Sequence, residues 1–310
     1  MKNRNPSTSP FTLTLPATSA NLGPAFDAAA LAFSAFLTVR ARASSDFSIL
    51  ASGRDAEICR RIEDHLILTT YRDVLLGQGK AITPLALRVQ NDIPIGKGCG
   101  SSAAARLAGV ALAVHFGRLR WGDSRIIGEA ALREHHPDNA AACWMGGLAV
   151  ARMSDAGNAQ VAHLKPRGKW PLLLAIPPES LPTEQARSVL PNHYSRADVV
   201  INLQNSLLLL GAFIQGRHEL LSSALQDRIH QPYRAALCPL LPTLQELAGT
   251  PEILGVALSG AGPSVLMFLD PKANLARTKT RVRNHLRARA LQAELLSAEI
   301  TLRGASRRSH

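Results

Sequence analysis

The stretch from Leu85 to Val114 constrains the fold most. It alternates apolar and polar residues at Leu85, Leu87 and Val89, crosses a loop with Pro94 and three glycines, then repeats Leu107, Val110, Ala111 and Val114 at helical spacing. The order is strand, glycine loop, helix. Within the loop, Pro94, Ile95, Gly96, Lys97, Gly98, Cys99, Gly100, Ser101 and Ser102 place glycine at alternate positions, where backbone can approach a ligand without Cβ clashes. The following helix offers unpaired N–H groups and the positive end of its dipole, so the segment reads as a phosphate cradle or as an ordinary capped helix. Ser101 and Ser102 sit where they can cap that helix, or where a hydroxyl can ligate a phosphate-bound Mg²⁺. Neither common nucleotide template fits: Lys97 lies among the glycines instead of after them, and no G-x-G-x-x-G opens a βαβ unit.

Elsewhere the period-two pattern recurs at Phe11, Leu13 and Leu15 and at Leu37, Val39 and Ala41, predicting two strands that flank a loop of small residues. A helix is expected over residues 123–134, stopping before Pro137. Residues 148–153 and 161–164 form a hairpin pattern, and Arg167-Gly168-Lys169 is a candidate linker, which puts a boundary near residue 166 between domains of residues 1–165 and 166–310. In the second part, strands are expected at 172–176, 255–258, 265–269 and 293–302. Helices are expected between 183 and 249 and over 274–291. Strands and helices mixed in both parts argue an α+β fold with two domains, not a doubly wound parallel sheet.

A chain of 310 residues with 46% hydrophobic and 19% charged residues can bury a core, which excludes wholesale disorder. The most apolar stretch, residues 199–214, is interrupted by Asn202, Gln204 and Asn205, and the first ten residues lack the apolar region of a secretory signal; a cytoplasmic protein with no membrane partner is expected. Cys59, Cys99, Cys143 and Cys238 are too scattered for a zinc site and are expected as reduced thiols. Lysine and arginine exceed acidic residues by 35 − 23 = 12, much of it near the C-terminus, which reads as the solvated face of a helix and a frayed tail. A basic nucleic-acid-binding module is the rival class. It predicts interleaved basic and aromatic residues, yet aromatics are only 5% of the chain.

Three further segments carry candidate chemistry. Residues 16–27 are small and polar, with Asn21 and Asp27 offering an amide and a carboxylate for a substrate ammonium or a metal, or else an Asx-turn and helix cap. Residues 255–264 hold Gly260 and further glycines suited to close backbone approach or to a plain turn. Glu134-His135-His136-Pro137-Asp138-Asn139 packs ionisable groups beside a helix end, where His136 and Asn139 could hydrogen-bond a substrate hydroxyl or carboxylate, without metal-type HxxxH spacing.

In this order the segments resemble the GHMP kinase superfamily, the galactokinase, homoserine kinase, mevalonate kinase and phosphomevalonate kinase group. Its glycine loop is matched by residues 94–104. Residues 16–24, 136–139, 183–191 and 227–234 look specifically like its homoserine kinase branch. The resemblance implies an N-terminal domain like domain 2 of ribosomal protein S5 and a ferredoxin-like C-terminal domain, with ATP and Mg²⁺ as cofactors. The implied reaction is phosphorylation of the side-chain hydroxyl of L-homoserine, with L-threonine or another small hydroxyl compound as the alternative acceptor. By the same resemblance, Gly96 to Ser102 would wrap the phosphates and Ser102 with Glu129 would hold Mg²⁺, Glu134 being the competing carboxylate. Asn21, Asp27, His136, Asn139, Arg187, Arg234 and Gly260 would contact the amino acid, with Asn139 and Arg187 serving the transfer itself and no general base. Lys97 and Cys99 stand where small neutral or apolar residues are usual, and Lys97 is expected in solvent. His135 replaces a frequent glycine, and His65 lies where an adenine-contacting asparagine is common. A homodimer is the family's expected assembly, and no nucleic-acid partner is implied.

Overall fold

The alternation that begins at Phe11 runs further than its apolar residues suggest. In the computed structural model, which describes residues 9–309, β1 extends over Phe11–Asn21 and β2 over Ala25–Ala43. The expected loop of small residues is therefore mostly strand, with a turn of only Leu22, Gly23 and Pro24. Small side chains hide the period: Ala17, Thr18, Ser19 and Ala20 pair with Phe33, Ala32, Leu31 and Ala30 and are all buried. The expectation about a leader peptide falls mostly outside the described residues.

The other strands are β3 (Ser48–Gly53), β4 (Leu85–Asn91), β5 (Leu148–Met153), β6 (Ala159–Leu164), β7 (Pro171–Ile176), β8 (Ile253–Leu258), β9 (Val265–Leu269), β10 (Glu294–Glu299) and β11 (Ser306–Ser309). Seven form one sheet in the order β11-β1-β2-β4-β3, with β5 added to β2 and β6 to β5; four form a second, antiparallel sheet in the order β10-β7-β9-β8. The α+β expectation holds, with β3 parallel to β4 as a pairing the sequence did not announce. The second sheet lies wholly within residues 171–299, whereas the first takes its edge strand β11 from beyond it.

That return overturns the frayed tail. Ser306–Ser309 pairs antiparallel with β1, Arg307 donates to Asp123 at 2.9 Å, and its guanidinium lies 4.8 Å from the centre of the Trp144 ring. The basic helix is as expected: Leu275–Arg287 buries Thr278, Val282 and Leu286 at four-residue spacing and leaves its arginines outward. All four cysteines are buried free thiols. Helix Arg196–Gln215, at mean hydropathy 1.5, is the one described helix long and apolar enough to cross a membrane. It packs on the fold through Asn202, Leu209, Ala212 and Phe213 and exposes Val200, Leu203 and Leu207.

The glycine loop is positioned by this core. Helix Ser101–Phe116 buries ten of its sixteen residues, among them Ala104, Leu107, Ala108 and Ala111, against the first sheet and helix Leu66–Gly77. Its rows of alanine allow close approach on every side, which fixes where its N-terminus points.

Candidate active site

Gly98 and Gly100 are where the loop tolerates nothing larger. Both are left-handed, at φ +75° and +72°; a Cβ on Gly98 would lie 2.2 Å from the Ser259 carbonyl oxygen, and one on Gly100 would lie 1.9 Å from Thr18 Oγ1. Ser259 Oγ in turn donates to the Gly98 carbonyl at 2.7 Å and lies 2.9 Å from the Ser19 hydroxyl, while Thr18 N–H donates to the Cys99 carbonyl at 3.1 Å. Three segments that the sequence separates by up to 240 residues thus meet at one point.

The helix that begins at Ser101 has Gly100 as its left-handed N-cap and no side-chain cap. Ser101 and Ser102 therefore do not close the helix as caps, and its first amides face the loop, an arrangement suited to an anion. Ser102 Oγ donates to Glu134 Oε1 at 2.6 Å, and Arg106 also pairs with that carboxylate. The expected partner Glu129 is instead held by Arg133, one turn on, at 2.6 Å. Five residues apart on one helix, Glu129 and Glu134 point about 140° apart, so only one can face Ser102. Oxygen donors from a hydroxyl and a carboxylate fit a hard cation such as Mg²⁺. Lys97 Nζ, at the exposed face of the loop, donates to the Pro178 carbonyl at 2.5 Å and bridges to the second half of the chain. Cys99 is buried behind the loop, and burial pushes its thiol up to about 12, so it is inert.

Beside the loop opens a cleft of roughly 710 Å³ lined by Leu37, Ile58, Ile67, Val89, Ile95 and Ser102. A flat apolar base fits such walls. His65 also faces it. Its Nε2 lies 3.2 Å from the Cys59 carbonyl, which can only accept, so Nε2 carries the hydrogen. Nδ1 is then an acceptor, buried with no partner among the described residues. Burial also lowers the His65 pKa and keeps the ring neutral.

The opposite side is built from charge. Asn21 (φ +70°) and Asp27 (φ +52°) are left-handed without being glycine, next to a register break in the β1–β2 ladder. Asn21 holds the geometry by donating from Nδ2 to the Gly260 carbonyl at 2.8 Å and accepting the Asp27 N–H at 2.9 Å. The Asp27 carboxylate accepts from Arg187 Nη2 at 2.7 Å. Arg187 and Arg234 both lie against Phe26, with guanidinium carbons 5.4 and 5.3 Å from the ring centre. Arg234 is 1% exposed. Its Nε donates to the Ala186 carbonyl at 2.9 Å, and burial, together with the nearby Arg187 charge, lowers its pKa to about 10. Two guanidiniums held this close favour an anion between them.

His136 and Asn139 complete the pocket. His136 Nδ1 lies 2.7 Å from Asp138 Oδ1, which also accepts the Asn139 N–H, while Asp138 Oδ2 is buried with no partner. Burial is the largest influence on His136 and disfavours its charge. The Asp138 hydrogen bond and the carboxylates of Asp138, Asp27 and Glu134 outweigh it and raise the pKa. Ligand atoms of Asp27, His136 and Asp138 lie within 4.8 Å of one another. Asn139 Oδ1 accepts from Thr18 Oγ1 at 2.6 Å. His135 is left-handed at φ +68° at the end of its helix, the reason glycine suits that place.

Every residue expected at the amino-acid site lies in this hydrogen-bonded cluster or lines it. Sequence reasoning gives no role to Thr18, Phe26, Asp138 or Ser259. Thr18, Phe26 and Ser259 act through partners distant in the chain, whereas Asp138 acts on its neighbours His136 and Asn139 and shows only as proximity to them.

Residues 65–147 match the GHMP kinases N terminal domain and residues 209–288 the GHMP kinases C terminal domain. The chain is 44% identical to a homoserine kinase of Solibacter usitatus over 84% of this chain and 85% of that one. It is 36% identical to a homoserine kinase of Deinococcus radiodurans over 86% and 87%. A crystal structure of homoserine kinase from Cytophaga hutchinsonii superimposes at a TM-score of 0.80 with 22% identity, covering 97% of this chain and 98% of that one.

Proposed function

The chain belongs to the GHMP kinases, among the homoserine kinases, and on that premise we propose that it transfers the γ-phosphate of ATP to the side-chain hydroxyl of L-homoserine. The observation that carries the reading is the split of charge in one pocket: a carboxylate at Asp27 for an ammonium, and Arg187 with Arg234 for a carboxylate. Such a pair of ends recognises a zwitterionic amino acid and holds its side chain toward the glycine loop. Adenine fits the apolar cleft, which His65 also lines.

The residues present fit Mg²⁺, with Ser102 and Glu134 as its holders; when bound, the ion neutralises charge building on the phosphates. The amides of the glycine loop and of the first helical turn add fixed positive dipoles there. Asn139 has its Oδ1 committed to Thr18, so its Nδ2 remains to donate to the attacking hydroxyl and orient it. An amide cannot take the hydroxyl proton, and a loose transition state does not demand early removal, so the proton leaves with a phosphate oxygen. The same reading includes a cytoplasmic, homodimeric protein without membrane or nucleic-acid partners.

ADP release by the purified protein with Mg²⁺-ATP tests this, comparing L-homoserine, L-threonine, L-serine, mevalonate and galactose with a no-acceptor control. Turnover dominated by homoserine is the expected result. Turnover of threonine alone would keep the kinase and overturn the acceptor, and silence with all five would overturn the reaction.

A further inference from the structure

His230 lies outside every role assigned above, yet it is 0% exposed between the two ends of the amino-acid pocket. Its Nε2 faces two acceptors, the Gly23 carbonyl at 2.8 Å and Asp227 Oδ2 at 3.4 Å, so Nε2 carries a hydrogen. Its Nδ1 faces Arg234 Nη1, a donor, at 3.1 Å, so Nδ1 presents its lone pair. The hydrogen bonds alone therefore fix a neutral ring in one tautomer. Asp227 fixes the backbone beneath it, accepting the N–H groups of Ile229, His230 and Gln231 at 2.8, 3.0 and 2.6 Å. Phe26 stacks on the ring with centroids 5.2 Å apart.

We propose that His230 is a positioning residue that ties the Leu22–Pro24 turn to the Arg234 guanidinium, and so sets the spacing between the ammonium-binding and carboxylate-binding ends of the pocket. Gly23 is central to that turn, two residues after Asn21 and four before Asp27. A Cβ there would lie 2.4 Å from the Leu225 carbonyl oxygen, so the turn is already pressed against the second half of the chain. From the far side, Asn202 Nδ2 and Ser206 Oγ donate to the Pro24 carbonyl at 2.7 and 2.8 Å. The imidazole is the element that passes this fixed turn's position to Arg234. Nη1 of that arginine is further directed by the Gly260 carbonyl at 3.5 Å, the same oxygen that accepts from Asn21. Both ends of the substrate are thereby referred to one rigid ring and one carbonyl.

The inference rests on the reading of Arg234 as carboxylate binder, and the test separates the two. KM and kcat are measured for L-homoserine and ATP in wild type, His230→Ala, His230→Asn and Arg234→Ala, with 2-amino-1,4-butanediol, which lacks the carboxylate, as a second acceptor. Losing the aim of a buried charged donor should raise the homoserine KM of His230→Ala about 10- to 100-fold, leaving the ATP KM within about twofold. The penalty should vanish with the aminodiol. His230→Asn, which keeps an acceptor facing Arg234 but not the donor to Gly23, should fall between, and it decides the matter if the alanine variant does not fold. Equal effects on both KM values, an equal penalty with the aminodiol, or an unchanged homoserine KM in His230→Asn would overturn the proposal. An unchanged homoserine KM in Arg234→Ala would instead overturn the reading of Arg234.

Discussion

The glycine-loop side and the charged side of the cleft are made by opposite means. The first is backbone and apolar wall from neighbouring segments: glycine-loop amides, a helix end without a side-chain cap, and Leu37, Ile67, Val89 and Ile95. The second is side-chain charge gathered from Asp27, His136, Arg187 and Arg234; Asp27, Arg187 and Arg234 are oriented by residues far away in sequence and His136 by nearby Asp138. Recognition by main chain depends on conformation and tolerates side-chain change; recognition by paired charges depends on identity and on every supporting bond.

The strongest way to break this division is at the point where the sides touch. Gly100→Ala puts a methyl group against Thr18 Oγ1, the hydroxyl that holds Asn139, at a left-handed residue. It should cost about 3 kcal/mol in urea unfolding and abolish turnover with every acceptor, a loss belonging to neither side alone. Glu134→Gln should confine its damage to the phosphate region, with kcat down about 100-fold and the Mg²⁺ requirement raised while the homoserine KM holds; a change in homoserine KM alone would argue against Glu134 as an Mg²⁺ holder.

Asp138→Asn probes the charged side by pH. His136 has a raised pKa, so its imidazolium, and the stability it brings, is fully present below the ordinary value of 6.5 and is lost as pH rises through the higher folded value. Removing the Asp138 charge lowers that folded value. The alkaline limb of kcat/KM for homoserine should therefore move to lower pH, and a limb that stays in place would show that His136 does not need its charge. The smallest expected effect is His65→Ala, about fivefold on the ATP KM with homoserine unaffected, as for the loss of one wall contact in the cleft.

The same contrast explains what the sequence could disclose. The glycine loop was legible because its function is written in consecutive residues, and helix Asp123–Glu134 because its apolar positions keep one period. Alanine, serine and threonine in a strand carry no apolar alternation, so the sequence suggests a loop longer than the turn at 22–24. Strand β11 was read as a tail because an arginine-rich stretch shows its pairing only once Asp123 and Trp144 are beside it. Likeness names Glu129 with Glu134 as its competitor, and only the structure shows that Glu134 bonds Ser102 while Glu129 pairs with Arg133.

The chain crosses between its two sheets twice, leaving after β6 and returning before β11. The crossings lie side by side, with Ile300 N–H to the Trp170 carbonyl at 3.5 Å, and the returning one is bound to the first sheet by Thr301 N–H to Ala32 at 3.0 Å and Ala305 N–H to Trp144 at 2.8 Å. Two adjacent strands hold the second sheet from two points, and the Ser259 to Gly98 and Asn21 to Gly260 hydrogen bonds tie the halves again at the glycine loop. Arg234, bonded toward the same Gly260 carbonyl, is thereby braced by both halves of the chain.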